Sequence, residues 1–150
     1  MYRLYSILFS LGLALMAPYY IWRHRGRKEL AGWRERLGLL PPTLRQEATG
    51  AIWIHAVSVG ETLAVAGLVR ALMQRYPERK IFLSSVTATG REAGEKKLPG
   101  VAGRFYLPFD WKWSVRRVLR QIRPSVLLIV ETELWPNLLK TARDRARRFW

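Results

Sequence analysis

The chain has no cysteine, so it forms no disulfide and carries no thiolate nucleophile or thiolate metal ligand. That absence suits a reducing cytoplasm. Histidine is nearly missing as well, with only His24 and His55, which excludes a histidine-rich metal site. Acidic residues are scarce: 11 Asp and Glu face 26 Lys and Arg, a formal net charge of +15. An excess of that size implies an anionic partner, either nucleic acid or an acidic membrane surface. There is no G-x-G-x-x-G and no G-x-x-x-x-G-K-[ST], so neither the dinucleotide fingerprint nor the P-loop is present. Internal repeats and low-complexity tracts are also absent. With 150 residues, of which 49% are apolar, one domain with a true core is expected.

Long apolar runs are limited to one, at the N-terminus. Residues 2–22 carry no charge after Arg3, and about 20 apolar residues can cross a bilayer. Tyr2, Tyr5, Tyr19, Tyr20 and Trp22 sit near its two ends, as an interfacial aromatic belt does. RHRGRK follows, and the positive-inside rule then places the body in the cytoplasm. The reading taken is an uncleaved anchor. A helix lying on the membrane surface is a second reading. A cleaved signal peptide is a third, with a thin n-region and no good cleavage site at Ala14, Ala17 or Pro18.

Residues 23–50 read as a basic juxtamembrane segment, including Arg34 and Arg36, followed by a linker with paired prolines. The arginines are either a solvated face or bidentate partners of lipid phosphates.

From Ala51 onward, short apolar runs alternate with helical patterns. Strands are expected at Ile52–Val57, Lys80–Ser85, Arg104–Leu107 and Ser125–Val130. Helices are expected at Glu61–Arg75, Thr87–Lys97, Trp111–Ile122, with Asp110 as its cap, and Leu134–Arg147. That order predicts an α/β fold, a Rossmann-like parallel sheet flanked by helices over residues 51–150.

Ligands of such sheets bind beyond the carboxyl ends of the strands. Ser58, Gly60 and Glu61 follow the first strand; Gly60 would let the chain turn sharply, and the helix start would attract an anion. Glu61 reads either as a complement to the helix dipole or as a general base. Glu131 and Glu133 end the last strand, where two acids favour a solvent-filled cleft. Thr87, Thr89, Gly90 and Arg91 read as a second loop able to bind sugar or phosphate, or simply as a helix cap. His55 reads as a satisfied core imidazole. Trp111 and Trp113 read as anchors for a helix or as a stacking surface.

Taken in order, WRERLG, IWIHAVSVGE, a TxTG loop, LPFD and ETELWPN resemble the 3-deoxy-D-manno-octulosonic acid (Kdo) transferases. The resemblance implies the N-terminal, acceptor-binding half of an inverting two-domain GT-B glycosyltransferase, with the donor domain outside these residues and no activity expected of this half alone. It implies CMP-Kdo as donor, a lipid A precursor as acceptor, no metal or other cofactor, and the bacterial inner membrane as location. Glu61 would be the catalytic base and Glu133 its acidic partner, with Glu131 the alternative. Ser58, Gly60, Glu131, Thr89, Gly90, Arg34 and Arg36 would line the substrate. The lipid A phosphates would then account for the positive charge in place of nucleic acid. A different sugar-transferring enzyme and a non-enzymatic, membrane-anchored basic module remain as alternatives.

Overall fold

A computed structural model describes residues 2–23, 32–48, 50–131 and 134–146. Its centre is a parallel sheet of four strands in the order β3-β2-β1-β4. The strands are β1 (Ala51–His55), β2 (Ile81–Ser85), β3 (Gly103–Tyr106) and β4 (Pro124–Ile129). Every residue of β1 and β2 is buried, as expected for strands covered on both faces. Alternation along β1 sends Ile52 and Ile54 to one side, where they pack with Val65, Val69 and Leu83. It sends Ala51 and Trp53 to the other, with Phe82, Phe105, Val118 and Ile122. The first side is covered by α3 (Val59–Arg75) and α4 (Ala88–Lys97), the second by α5 (Lys112–Ile122) and α6 (Pro136–Ala146). Strand β4 is an outer strand whose residues are half-buried or exposed, Val126 among the latter.

The strand order reverses at β1. Strands β2 and β3 build outward on one side, and the chain then crosses back to lay β4 on the other. The carboxyl ends of β1 and β4 are therefore adjacent: His55 pairs with Ile129, and the Val130 N–H donates to the His55 carbonyl at 3.0 Å. A crevice at such a reversal is the usual ligand site of this architecture.

Three expectations change. The Pro-rich stretch is no free linker. Residues Pro42–Leu44 form a 3-10 turn, and Leu40 and Leu44 are buried in the core. Here the prolines fix a tight path across the sheet. Asp110 does not cap α5, which has no side-chain cap. Its carboxylate instead accepts from the Asn137 N–H at 3.0 Å and the Leu138 N–H at 2.8 Å, at the start of α6. A buried carboxylate takes whichever orphan amides its packing brings near, and the start of α6 lies within reach.

The third concerns the N-terminal run. It forms a single helix, α1 (Tyr2–Arg23). Among the described residues, however, no helix is long and apolar enough to cross a membrane. Ser6, Ser10, Gly12 and Pro18 dilute the apolar run, and one side of α1 is docked on the body. Trp111 Nε1–H donates to Ser10 Oγ at 2.8 Å, and Asn137 Nδ2 donates to Ser6 Oγ at 3.1 Å. Phe9 meets Trp111 edge-on, with centroids 6.1 Å apart. Tyr5 bonds Asp110, and burial followed by the charge of that carboxylate pushes its pKa up to about 12. The opposite side of α1, with Leu4, Ile7, Leu8, Leu11 and Leu15, is exposed.

The short helix α2 (Trp33–Arg36) is held by its own charges. Glu35 Oε2 accepts from Arg91 at 2.6 Å and from the Tyr106 N–H at 2.8 Å. The Arg36 and Arg91 guanidiniums lie 4.7 and 5.0 Å from the centroid of the Tyr106 ring. Gly38 then turns the chain with φ +77°, and a Cβ there would stand 2.5 Å from the Ser114 carbonyl oxygen. Gly38→Ala meets both penalties and should destabilise the fold by about 1–3 kcal/mol in urea unfolding. Gly67, in α3, has open space around its Cβ position. Gly67→Ala should instead be neutral or stabilise by up to about 1 kcal/mol.

Candidate active site

The end of β1 and the start of α3 are joined by one carboxylate. Ser58 is the N-cap of α3, with extended backbone, and Glu61 stands three residues later. That S-x-x-E spacing is a capping box. Ser58 Oγ accepts from the Glu61 N–H at 3.5 Å and donates to Glu61 Oε1 at 2.9 Å. Glu61 Oε2 reaches back to accept from the Val57 N–H at 2.7 Å. The side chain is thus fixed over the carboxyl end of the central strand and only half-buried. Among the described residues each oxygen accepts from one donor, and a carboxylate has about four acceptor positions. Capacity to accept a substrate hydroxyl remains.

Gly60 lies inside the first turn of α3, which begins at Val59, and is absent from the positive-φ glycines, so it does not make the sharp turn expected. The N-cap geometry of Ser58 turns the chain. Gly60 is exposed, and its Cβ position is open apart from Ser58 Oγ at 3.9 Å. A small residue there leaves room beside Glu61.

The β2–α4 loop forms the next wall. Thr87 caps α4, accepting from the Gly90 N–H at 3.0 Å, and its hydroxyl also lies 3.3 Å from the Val57 carbonyl oxygen as donor. The capping account therefore holds for Thr87. Gly90 is buried where the two loops touch: a Cβ would come within 3.0 Å of the Val57 carbonyl oxygen and 3.3 Å of the Ser58 carbonyl carbon. It sets the spacing of the loops from behind. Thr89 is exposed, with its hydroxyl 3.4 Å from Thr87 Oγ1. Arg36 reaches the same loop from below, donating to the Val86 carbonyl at 2.5 Å, while Val86 N–H donates to the Val57 carbonyl at 3.3 Å. Its guanidinium is thus committed to protein groups, whereas Arg34 is exposed on α2.

Glu131 is exposed just past β4, across the strand reversal from Glu61. Glu133 lies outside the described residues. Ser58, Gly60, Glu61, Thr89 and Glu131 therefore share the carboxyl-end rim, with Gly90 behind it and Arg34 and Arg36 beneath. Among the described residues, no group of three or more His, Asp or Glu side chains comes together to hold a metal ion. The Glu35–Arg91 pair, which fixes α2 against this loop, escaped the sequence reading. Its partners lie 56 residues apart, and Arg91, expected to face a sugar or phosphate, is turned to Glu35 instead.

His55 sits beneath the site, buried, with Nδ1 2.9 Å from Ser84 Oγ and 3.2 Å from the Ser84 carbonyl oxygen. It is a core imidazole. Burial lowers its pKa, opposed in part by the Ser84 backbone bond and the charge of Glu61.

A sheet whose order reverses at its centre, with an acid held at that point, defines the class: an α/β domain with a strand-end site. The family follows from comparison. The family description "3-Deoxy-D-manno-octulosonic-acid transferase (kdotransferase)" matches residues 31–149, and the chain belongs to that family. It is 36% identical over 141 residues to the 3-deoxy-D-manno-octulosonic acid transferase of Bordetella pertussis, covering 88% of this chain and 32% of the relative. The Haemophilus influenzae transferase is 41% identical over 88 residues, 59% of this chain and 21% of the relative. A probable mitochondrial transferase of Arabidopsis thaliana is 33% identical over 144 residues, 94% of this chain and 31% of the relative. The chain thus spans about a third or less of the length of these curated relatives.

The buried imidazole makes stability depend on pH. Folded His55 holds its proton less tightly than the unfolded chain does, so the unfolded state takes up more protons as pH falls through about 6.5. Stability should decline from that pH downward until the folded group itself titrates. Denaturant unfolding at pH 7.5 and 5.5 should show this loss, and His55→Gln should lose less over the same interval.

Proposed function

We propose that the chain is the acceptor-binding part of an inverting glycosyltransferase that moves Kdo from CMP-Kdo to a lipid A precursor, with the donor held by a further domain. The observation that carries this reading is the Glu61 carboxylate, fixed by Val57 and Ser58 at the strand reversal and open on one side. Glu61 accepts the proton of an acceptor sugar hydroxyl. The freed oxygen pair attacks the anomeric carbon of Kdo, the bond from that carbon to the CMP phosphate breaks, and CMP leaves with the bonding electrons. Attack from the face opposite the leaving group inverts the centre. Pre-set hydrogen bonds keep the base from reorienting at the moment of transfer. The acidic loop after β4, with Glu131 or Glu133, stabilises positive charge that develops on the donor sugar. Gly60 and Thr89 border the acceptor, and Arg34 meets its phosphate.

The protein works at the cytoplasmic face of the inner membrane. The docked helix α1 supports attachment in the plane of the interface, with its exposed apolar side in the lipid and its other side on the body. The charge of +15 adds attraction to anionic headgroups.

Transfer from CMP-Kdo to lipid A precursor should be absent for the chain alone and present when the C-terminal part of the Bordetella pertussis relative is supplied. Glu61→Gln should lower that rate by about 10²–10⁴-fold, as expected for loss of a general base, while acceptor binding persists. An unchanged rate removes Glu61 from this role. Sedimentation with phosphatidylglycerol vesicles should weaken steadily as salt rises, because the charge contribution is screened. Binding indifferent to salt contradicts the electrostatic part.

A further inference from the structure

Between α1, α2 and the β2–α4 loop lies a cavity of about 390 Å³ that the transfer chemistry leaves unused. We propose that it holds one hydrocarbon chain of the acceptor lipid, an inference that rests on the acceptor being an acylated lipid as set out above.

The lining fits such an occupant. Helix α1 contributes Leu13, Met16 and Ala17, and Trp33 and Phe109 form an aromatic wall with centroids 5.3 Å apart. The volume lies in the range of about 300–1,000 Å³ usual for small-molecule sites. Apolar walls facing a void forgo dispersion contacts, and a chain restores them without any polar group to satisfy.

Two features select a membrane lipid over other apolar ligands. Met16 belongs both to the cavity and to the exposed apolar surface of α1, which continues through Leu15, Leu11 and Leu8. A chain can therefore enter from a surface that itself suits lipid, without crossing water. The cavity's polar members are Arg36 and Thr87, and the Thr87 hydroxyl donates to the Val57 carbonyl, one residue before the Ser58 cap. The Val57 N–H in turn holds Glu61. A lipid whose chain is seated here keeps its headgroup on the side of the base. The cavity would then align the acceptor hydroxyl and admit only acceptors carrying a chain.

The test uses the full chain on vesicles of phosphatidylethanolamine and phosphatidylglycerol containing lipid A precursor with a diazirine near the end of one acyl chain. After irradiation, adducts are mapped by peptide mass spectrometry. Adducts are expected on Leu13 or Ala17 together with Trp33 or Phe109, displaced by unlabelled precursor and not by extra phosphatidylglycerol. Leu13→Trp and Ala17→Trp each fill the cavity and should lose these adducts while retaining those on Leu8, Leu11 and Leu15. The proposal is overturned by adducts confined to the exposed stripe, by equal displacement with phosphatidylglycerol, by persistence in both variants, or by two copies of the chain sealing the cavity without lipid. Kdo transfer, read in parallel with the supplied C-terminal part, separates the two ideas. Cavity adducts without transfer count against the enzymatic reading alone, and transfer with no cavity adducts counts against the cavity alone.

Discussion

One carboxylate joins the central strand to the first helix of the sheet. Glu61 accepts from an amide before α3 and from the hydroxyl that caps it, so the chain's reversal at the end of β1 and the position of the acid are the same interaction. A helix start leaves its first amides without partners, and the chain supplies them from within the motif. The consequence is economical. The group that stabilises the fold here sits at the carboxyl-end rim of the sheet, and its freedom to swing away is small. Capping does not exhaust the Glu61 carboxylate, which has more acceptor positions than the cap consumes.

The rest of the molecule braces that rim. The β1–α3 and β2–α4 loops touch through Val57, Val86 and Thr87, with Gly90 allowing the approach. Beneath them, Arg36 and the Glu35–Arg91 pair clamp Tyr106 and hold α2 in place. The Glu35–Arg91 pair is largely shielded from solvent, which weakens screening relative to an exposed pair. On the far side, Asp110 gathers the start of α6 and the Tyr5 hydroxyl of α1. Burial raises the Asp110 pKa, while the Asn137 and Leu138 amides and Tyr5 pull it back. The N-terminal helix is thus tied to the body by polar groups along one side and bare along the other.

Much of this was legible from residue order. Short apolar runs marked the strands to within a residue or two, because both faces of β1 and β2 are buried and no alternation was needed. The apolar run of β1, followed by small residues and a helical pattern, placed Glu61 at a helix start; the cap that fixes its carboxylate came from the structure. What the sequence hid was long-range. Nothing near Asp110 signals that its partners are Asn137 and Leu138, and nothing near Glu35 points to Arg91. The prolines before β1 read as a linker because proline marks both solvent-exposed turns and tight packed ones; only the burial of Leu40 and Leu44 distinguishes them. The apolar run at the N-terminus read as a span because hydropathy cannot tell a lipid-facing side from a docked one. Ser6 and Ser10, spaced one helical turn apart, carry that distinction.

The most direct measurement is the backbone amide NMR spectrum of the chain during titration with lipid A precursor in micelles, against micelles alone. The account predicts shifts clustered at the carboxyl end of the sheet, at Val57, Gly60, Glu61 and Glu131, with Gly50, Arg79 and Lys80 at the opposite end unmoved. Shifts at that opposite end, with Val57 and Glu61 unchanged, would contradict it.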